Sequence, residues 1–492
     1  MIVSQIEKEL VADIYINRNR IVTHANFSSS IFHGYQRLLV GQPALSSLDI
    51  TSRVYGFCGG AHQQAAVMAL EQISGATVPP DAHVLRSIIH AAEIVQNSIK
   101  WFYTSFAPDL ADPSFKNETI YQDVLERFQS IKGTSFRKGV IGATYPISLY
   151  SSIAGNWPHA EFIVPGGVAT NLDANGVAKA KNIIQDFKRK WLEPVLLDGS
   201  VDRFLEIDSW SGILNWFNES KRHADSDLGL FFRTCEAYGL DKIGAGEHRF
   251  LSFGAFWDEK RETEVNPSNY QKSTYFNSGV FSRMKYRSGD IKTLLEDLDD
   301  TANRPVEAVL EDMTSYEVGS LARMLLLGKS TKKLNDSYAT TLFRDIYEQK
   351  GSSVFIRAFA RSYELIVLSD FIERSFDRLN IKGDSYLPTT IADGQGYGIT
   401  EAPRGSLAHI VEIERGNIKR YQILAPTIAN INVGATEKKC SPLGKALKGM
   451  TIKDLENPIE IGMIARSFDA CLRCTINFKK SSSQQDISQV VI

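Results

Sequence analysis

The sequence predicts a mainly α protein with small β elements (α+β), a large single domain built on long buried helices. Three observations carry that reading. Leu85, Ile88, Ile89, Ala92 and Val95 recur at helical spacing behind the start signal Pro79-Pro80-Asp81. The stretch from Phe355 to Phe376 is apolar on most sides and free of Pro and Gly, which reads as a buried helix. No internal repeat and no Pro/Ser linker divides the 492 residues, so residues 1–477 are taken as one domain and 478–492 as a tail.

The elements follow in order. Leu10–Ile16 and Ile21–Phe27 are apolar runs around the Asn-rich turn Asn17-Arg18-Asn19, a β-hairpin pattern. A helix is predicted from His62 to Ile73, ended by Gly75, and the next runs from Pro80 to the aromatic cluster Trp101-Phe102-Tyr103. Residues 110–135 are polar with helical pieces, and Val164-Pro165-Gly166-Gly167-Val168 punctuates the chain. Helices are expected around 176–191 and 201–218, then irregular chain or short strands over 250–290, then helix over 303–327 and 337–379. Ile410, Ile413, Ile418 and Ile423 flank Arg415-Gly416-Asn417 as a second hairpin. A C-terminal helix over 459–474 would place Cys471 and Cys474 one turn apart on one face. The Ser/Gln-rich tail from Lys479 is expected to be mobile.

Composition excludes several functions. A net charge of −2 makes no electrostatic case for nucleic acid or an anionic membrane. No window of 18 apolar residues calls for direct membrane insertion, and the opening segment lacks a signal-peptide pattern. Five scattered cysteines make no disulfide framework. The expected compartment is cytoplasmic, with membrane association or export through a partner subunit left open.

Three of the five cysteines fall in two short motifs at opposite ends of the chain. These are Arg53-Val54-Tyr55-Gly56-Phe57-Cys58-Gly59-Gly60-Ala61-His62 and Asp469-Ala470-Cys471-Leu472-Arg473-Cys474. Thiolates suit a soft transition metal. The C-x-x-C by itself is equally compatible with half a zinc site, a redox pair or coincidence.

The two motifs together resemble those of the large, metal-bearing subunit of nickel–iron hydrogenases, R-x-C-G-x-C-x-x-x-H and D-P-C-x-x-C. Further segments share the likeness in order: Ile31–Tyr35, Phe102-Tyr103 with Asp109, Pro165–Val168, Glu317–Arg323, Glu401–His409, Tyr421-Gln422, Pro426-Thr427 with Asn430, and Arg466–Asp469. The resemblance covers nearly the whole chain and makes residues 1–477 a hydrogenase large-subunit-like metal-binding domain. It implies a nickel–iron centre whose iron carries carbon monoxide and cyanide. Cys58 and Cys474 would bridge the metals, and Cys471 would be a terminal thiolate on nickel. Arg404 would hang over the open coordination position, held by Asp109 and Asp469. Pro403 and Thr427 would line the diatomic ligands, His62 would donate to a bridging sulfur, and Glu7 would carry protons. H2 is the implied substrate. Five cysteines leave too few thiolates for an iron–sulfur cluster beside such a site, so an iron–sulfur small subunit is the implied partner, docked near residues 53–62.

The pattern breaks at Tyr55, which stands where the family places its first terminal nickel cysteine. A phenol, with a reference pKa of ~10, is a harder and more basic donor than a thiol. Three outcomes stay open: a nickel–iron site with Tyr55 or a vacancy as the fourth position, an iron-only site, or no metal. Gln36 and Asn477 replace the acid and the histidine that help bind magnesium in the family, which argues against that ion. Residues after Asn477 stand where the family carries a tail removed by a protease; with Asn477 and Tyr55 in place, a chain that is never cut stays open as the alternative. The reading is a hydrogenase-type catalytic large subunit passing electrons to its partner. The alternatives are a catalytically silent, sensory or redox-coupling relative, and a zinc-stabilised helical protein.

Overall fold

The two ends of the chain meet in one sheet. A computed structural model describes residues 9–29, 34–246, 248–257, 274–282, 285–287, 316–327, 337–431, 440–469, 473–481 and 486–491. Glu7, Cys471 and the side chain of Cys474 lie outside the described residues, as does the 303–315 part of the helix expected over 303–327. Strands β1 (Glu9–Ile16) and β2 (Val22–Ser29) form the predicted hairpin, with Ala12, Ile14 and Ile16 buried on alternate positions.

Helix α1 (Ser46–Val54) leads into α2 (Gly59–Ser74). The buried Ala61, Ala65, Ala66 and Ala69 keep α2 thin, and it ends on Gly75 at φ 60°, a left-handed cap that glycine adopts without strain. Helix α3 (Pro80–Lys100) starts on its proline and runs on as a π-helix over Trp101–Phe106, burying Trp101, Phe102, Tyr103 and Phe106. Helix α4 (Thr144–Ala154) packs beside it.

Strand β3 (Arg249–Trp257) pairs antiparallel with Thr274–Ser282. It is buried from Phe250 onward, which explains why no alternation marks it in the sequence. After α5 (Ser320–Leu326) comes α6 (Val354–Ser375), capped by Ser353 and packed on α3. Each fully buried Leu or Ile on these two helices contributes ~1.5–3 kcal/mol, so packing holds them.

Strands β4 (Gly394–Ala402), β5 (Gly405–Glu414) and β6 (Asn417–Leu424) form a meander. It lies so close on α2 that a Cβ at Gly398 would stand 1.9 Å from the Ala65 carbonyl oxygen. Helices α7 (Pro426–Ile431) and α8 (Ile459–Ser467) follow. Strand β7 (Arg473–Lys480) then pairs parallel with β1, placing Cys474 opposite Leu10, and β8 (Asp486–Val491) covers its other edge.

The structure corrects the C-terminal reading. The helix stops at Ser467, and Asp469 turns the chain with φ 53°. From Arg473 the chain is strand, because Ile476 and Phe478 alternate into the core against β1. Cys474 is therefore on a strand, not one helical turn beyond Cys471. The residues expected as a tail carry the end of β7 and the edge strand β8. The helix expected over 337–379 is broken at Gly351 (φ 67°) into Ser337–Lys350 and α6. That expected at 201–218 is split into Val201–Leu205 and Trp210–Glu219.

Candidate metal centre

Cys58 is buried at the N-cap of α2, set there by a turn in which its amide donates to the Tyr55 carbonyl (2.9 Å). The two glycines that follow are sterically required. A Cβ on Gly59 would lie 2.5 Å from the Ser52 carbonyl oxygen, and one on Gly60 would lie 2.7 Å from Glu93 Oε2. Arg53, at the head of the motif, points outward to exposed Asp49 and Glu161, pairs that contribute little.

One turn into α2, His62 is buried with Nδ1 2.9 Å from His409 Nε2. His409 Nδ1 stands 2.7 Å from the Tyr421 hydroxyl. Burial lowers the pKa of His409 to about 3, so the ring is neutral. A neutral imidazole donates through one nitrogen and accepts through the other, so the tautomer of His409 dictates that of His62. The ring of Tyr55 lies flat on His62, centroids 3.8 Å apart and planes 4° apart.

Arg404 sits in the β4–β5 turn with Nη2 3.5 Å from Asp469 Oδ1. A second guanidinium, Arg361 on α6, reaches the other Asp469 oxygen at 3.8 Å and lies over the Trp101 ring. Burial lowers the pKa of Arg361, against the attraction of Asp469 and Glu364. Its Nη1 has no hydrogen-bond partner among the described residues.

The Arg404 turn is held from behind. Arg323 donates to the carbonyls of Ala402 and Pro403, both at 3.0 Å, and pairs with Glu364 and Glu401 in a fully buried triad. Glu401 in turn accepts from the Phe253 amide and the Ser406 hydroxyl. Gly405 and Gly319 let the turn and the start of α5 touch, since a Cβ on Gly405 would meet the Gly319 nitrogen at 2.7 Å. Pro403 and Thr427 are buried, and Asn430 ties α7 to Val318 through two 3.0 Å bonds.

Asp109 is corrected. It was expected to hold Arg404, but its carboxylate takes Arg466 in a two-point pair, clamping the last turn of α8 to the end of the π-helix. Of the two expected acids only Asp469 pairs with Arg404, and it shares its other oxygen with Arg361. Arg323, Arg361, His409, Tyr421 and Glu93 were given no role from sequence. For His409 and Arg323 the signal was there, inside Glu401–His409 and Glu317–Arg323. Among the described residues no group of three or more His, Cys, Asp or Glu side chains makes a metal-holding cluster. Cys471 and the Cys474 side chain fall outside them.

Known proteins give this arrangement a context. The large subunit of the periplasmic [NiFeSe] hydrogenase of Desulfomicrobium baculatum is 24% identical, over 96% of this chain and 93% of its own. The hydrogenase-2 large chain of Escherichia coli K12 is 23% identical over all of this chain and 98% of its own. The solved Ni-Fe-Se hydrogenase of D. vulgaris Hildenborough shares the fold, with a TM-score of 0.71 at 22% identity, covering 94% of this chain and 98% of that one. The nickel-dependent hydrogenase family matches residues 33–125 and 310–477, together just over half of the sequence. The fold and these relatives define a large subunit of a hydrogenase-type oxidoreductase. The chain belongs to the nickel-dependent hydrogenase family.

Proposed function

We propose that this chain is the catalytic large subunit of a nickel–iron hydrogenase, activating H2 heterolytically and passing electrons to an iron–sulfur small subunit. The observation that carries this is Arg404, held by Asp469 and by the Arg323 clamp in the turn between β4 and β5, in a chain whose buried Cys58 opens α2. The described donors fit such a centre in kind: a buried thiol, a buried imidazole beside it, and the Arg361 Nη1 donor wanting an acceptor. The bound centre, with carbon monoxide and cyanide on its iron, would supply the cleavage of H2 and take its two electrons.

The chain's own residues do the rest. Cys58, with Cys471 and Cys474, would hold the metals. Arg404 would bring a permanent charge and fixed donors to the bound centre, its turn held by Arg323 and its guanidinium by Asp469. His62, its tautomer set through His409, tunes a sulfur. Asp469 stabilises two guanidiniums, and Glu7 is assigned the proton exit. Pro403 and Thr427, both buried, would line the iron's ligands. Phe57, 57% exposed beside buried Cys58, marks the face for the small subunit. No described helix is long and apolar enough to cross a membrane. Asn477, at a position the family uses for magnesium, donates to the Asp13 carboxylate at 2.9 Å, as does Lys479.

A second reading rests on Tyr55. Its ring is stacked on His62, which favours a relative whose nickel position is weakened or lost, serving a sensory or redox-coupling role. Metal analysis with infrared spectroscopy separates the readings. The first expects nickel with carbonyl and cyanide bands, and the second expects those bands without nickel, or no bands. Tyr55→Cys should raise nickel content and H2 turnover, whereas Tyr55→Phe, which keeps the stack, should leave nickel content unchanged. Zinc with no bands would overturn both readings.

A further inference from the structure

Glu93 lies on α3, only 3% exposed, with its carboxylate against the first turn of α2. The Cys58 side chain makes no cap hydrogen bond to the first amides of α2, so those amides take an acceptor from elsewhere. Glu93 supplies it: Oε2 accepts from the Gly60 amide (2.8 Å) and Oε1 from the Ala61 amide (3.0 Å). One turn along α3, Asn97 donates to the Phe57 carbonyl (2.8 Å) and to the Glu93 carbonyl (2.9 Å). Two residues of one helix thus grip the turn that presents Cys58.

Among the described residues, two groups besides the amides face the Glu93 carboxyl. Arg404 acts on it from the β4–β5 turn, and the Tyr150 hydroxyl approaches it from α4. Burial pushes its pKa up to about 7, against the two amides and Arg404. A capping role needs only an acceptor, which an amide would supply. An acid buried between the Cys58 turn and Arg404 can also change its charge.

We propose that Glu93 is a proton-holding residue of the metal site. This rests on the hydrogenase reading and adds to it a second carboxyl, distinct from Glu7. When H2 is cleaved heterolytically, the proton released adds to the Glu93 carboxylate, forming one O–H bond and cancelling one negative charge beside Arg404. The acid returns that proton in the reverse direction or surrenders it to the exterior. No electron passes through the residue.

The test has two independent readouts. In the metal-free protein, the infrared C=O stretch of a carboxylic acid should be present below neutral pH and vanish as pH rises through about 7, and it should be missing from Glu93→Gln. In the loaded protein, Glu93→Gln should slow H2/D2 exchange at least ~10-fold, as expected when a positioned proton acceptor is removed. Metal content should be unchanged and the neutral inflection of the pH profile lost. Should Glu93→Gln fail to fold, Glu93→Asp keeps a titratable acid and must show the band at a shifted midpoint. A missing band in the wild type, or full exchange in Glu93→Gln with its metals in place, overturns the proposal. A wild type without any exchange overturns the H2 reading instead, and the band still decides whether Glu93 holds a proton.

Discussion

His62 and His409, on α2 and β5, share a 2.9 Å hydrogen bond between buried rings 347 positions apart in sequence. That bond, with Tyr421 behind it, fixes the imidazole next to Cys58 to the meander that carries Arg404. Replacing His409 by Leu leaves Nδ1 of His62 buried without this partner. The expected cost is ~1–3 kcal/mol of folding stability, read as a lower urea midpoint with unchanged slope. A midpoint equal to wild type would show that the pair does not support the fold.

Three buried imidazoles also set an acid limit. Burial lowers the pKa of His83 to about 3, His90 to about 4 and His409 to about 3, all below the unfolded value of 6.5. Between those values the unfolded chain binds protons that the native rings refuse, so stability must fall as pH drops from about 6.5 towards 4. Each group contributes on the order of 1.4 kcal/mol per pH unit in the steep part of that window. Glu93, Glu401 and Asp109, with raised pKa values, pull the other way and reduce the slope. Urea unfolding at pH 7, 6 and 5 checks the sign: a midpoint that rises on acidification would contradict it.

Much of the scaffold was legible because local pattern and burial agree. Phe355–Phe376 reads as a buried helix and is one within a residue at each end. The runs at Leu10–Ile16 and Ile410–Ile423 read as hairpins and pair as such. The C-terminal misreading has a definite cause. The spacing of Cys471 and Cys474 suits a helix face, whereas the register that makes 473–480 a strand comes from β1, 464 residues away in sequence. At the site, the sequence supplied acids and arginines without their pairing. Asp109 and Arg404 both belong to the pattern, but only the path of α8 reveals that Arg466 reaches Asp109 first. Glu93 was invisible for a related reason. On a helix buried all round, a glutamate carries no periodic signal, and its partners are amides, which every residue type provides.

The Arg323 clamp makes a sharper prediction. Its guanidinium pairs with Glu364 and Glu401 at full burial and holds the carbonyls of Ala402 and Pro403. Arg323→Met removes the positive partner and leaves two carboxylates buried, a change that costs ~3–5 kcal/mol. Arg323→Lys keeps the charge but not the fork, so it should recover part of the stability while leaving the Arg404 turn loose. Unfolding free energies rank wild type, Lys and Met in that order. Metal content of the Lys variant should fall below wild type, and full loading would show that the turn needs no clamp.

The last strand bears on how the chain end is finished. Phe478 is 0% exposed, and Lys479 pairs with Asp13 across β7 and β1. Cys474 stands four residues earlier on the same strand, opposite Leu10. A chain stopped after Asn477 loses that aromatic ring, the ion pair and the β8 edge together. Phe478→Ala isolates the largest part of this loss, for which ~3–5 kcal/mol is expected of a buried ring. The truncated chain should be destabilised at least as much, because β7 would keep a single sheet neighbour. Urea midpoints of wild type, Phe478→Ala and the truncated protein test this directly. If the truncated protein matched wild type, residues after Asn477 would be dispensable for the fold, and their removal would be compatible with a finished subunit.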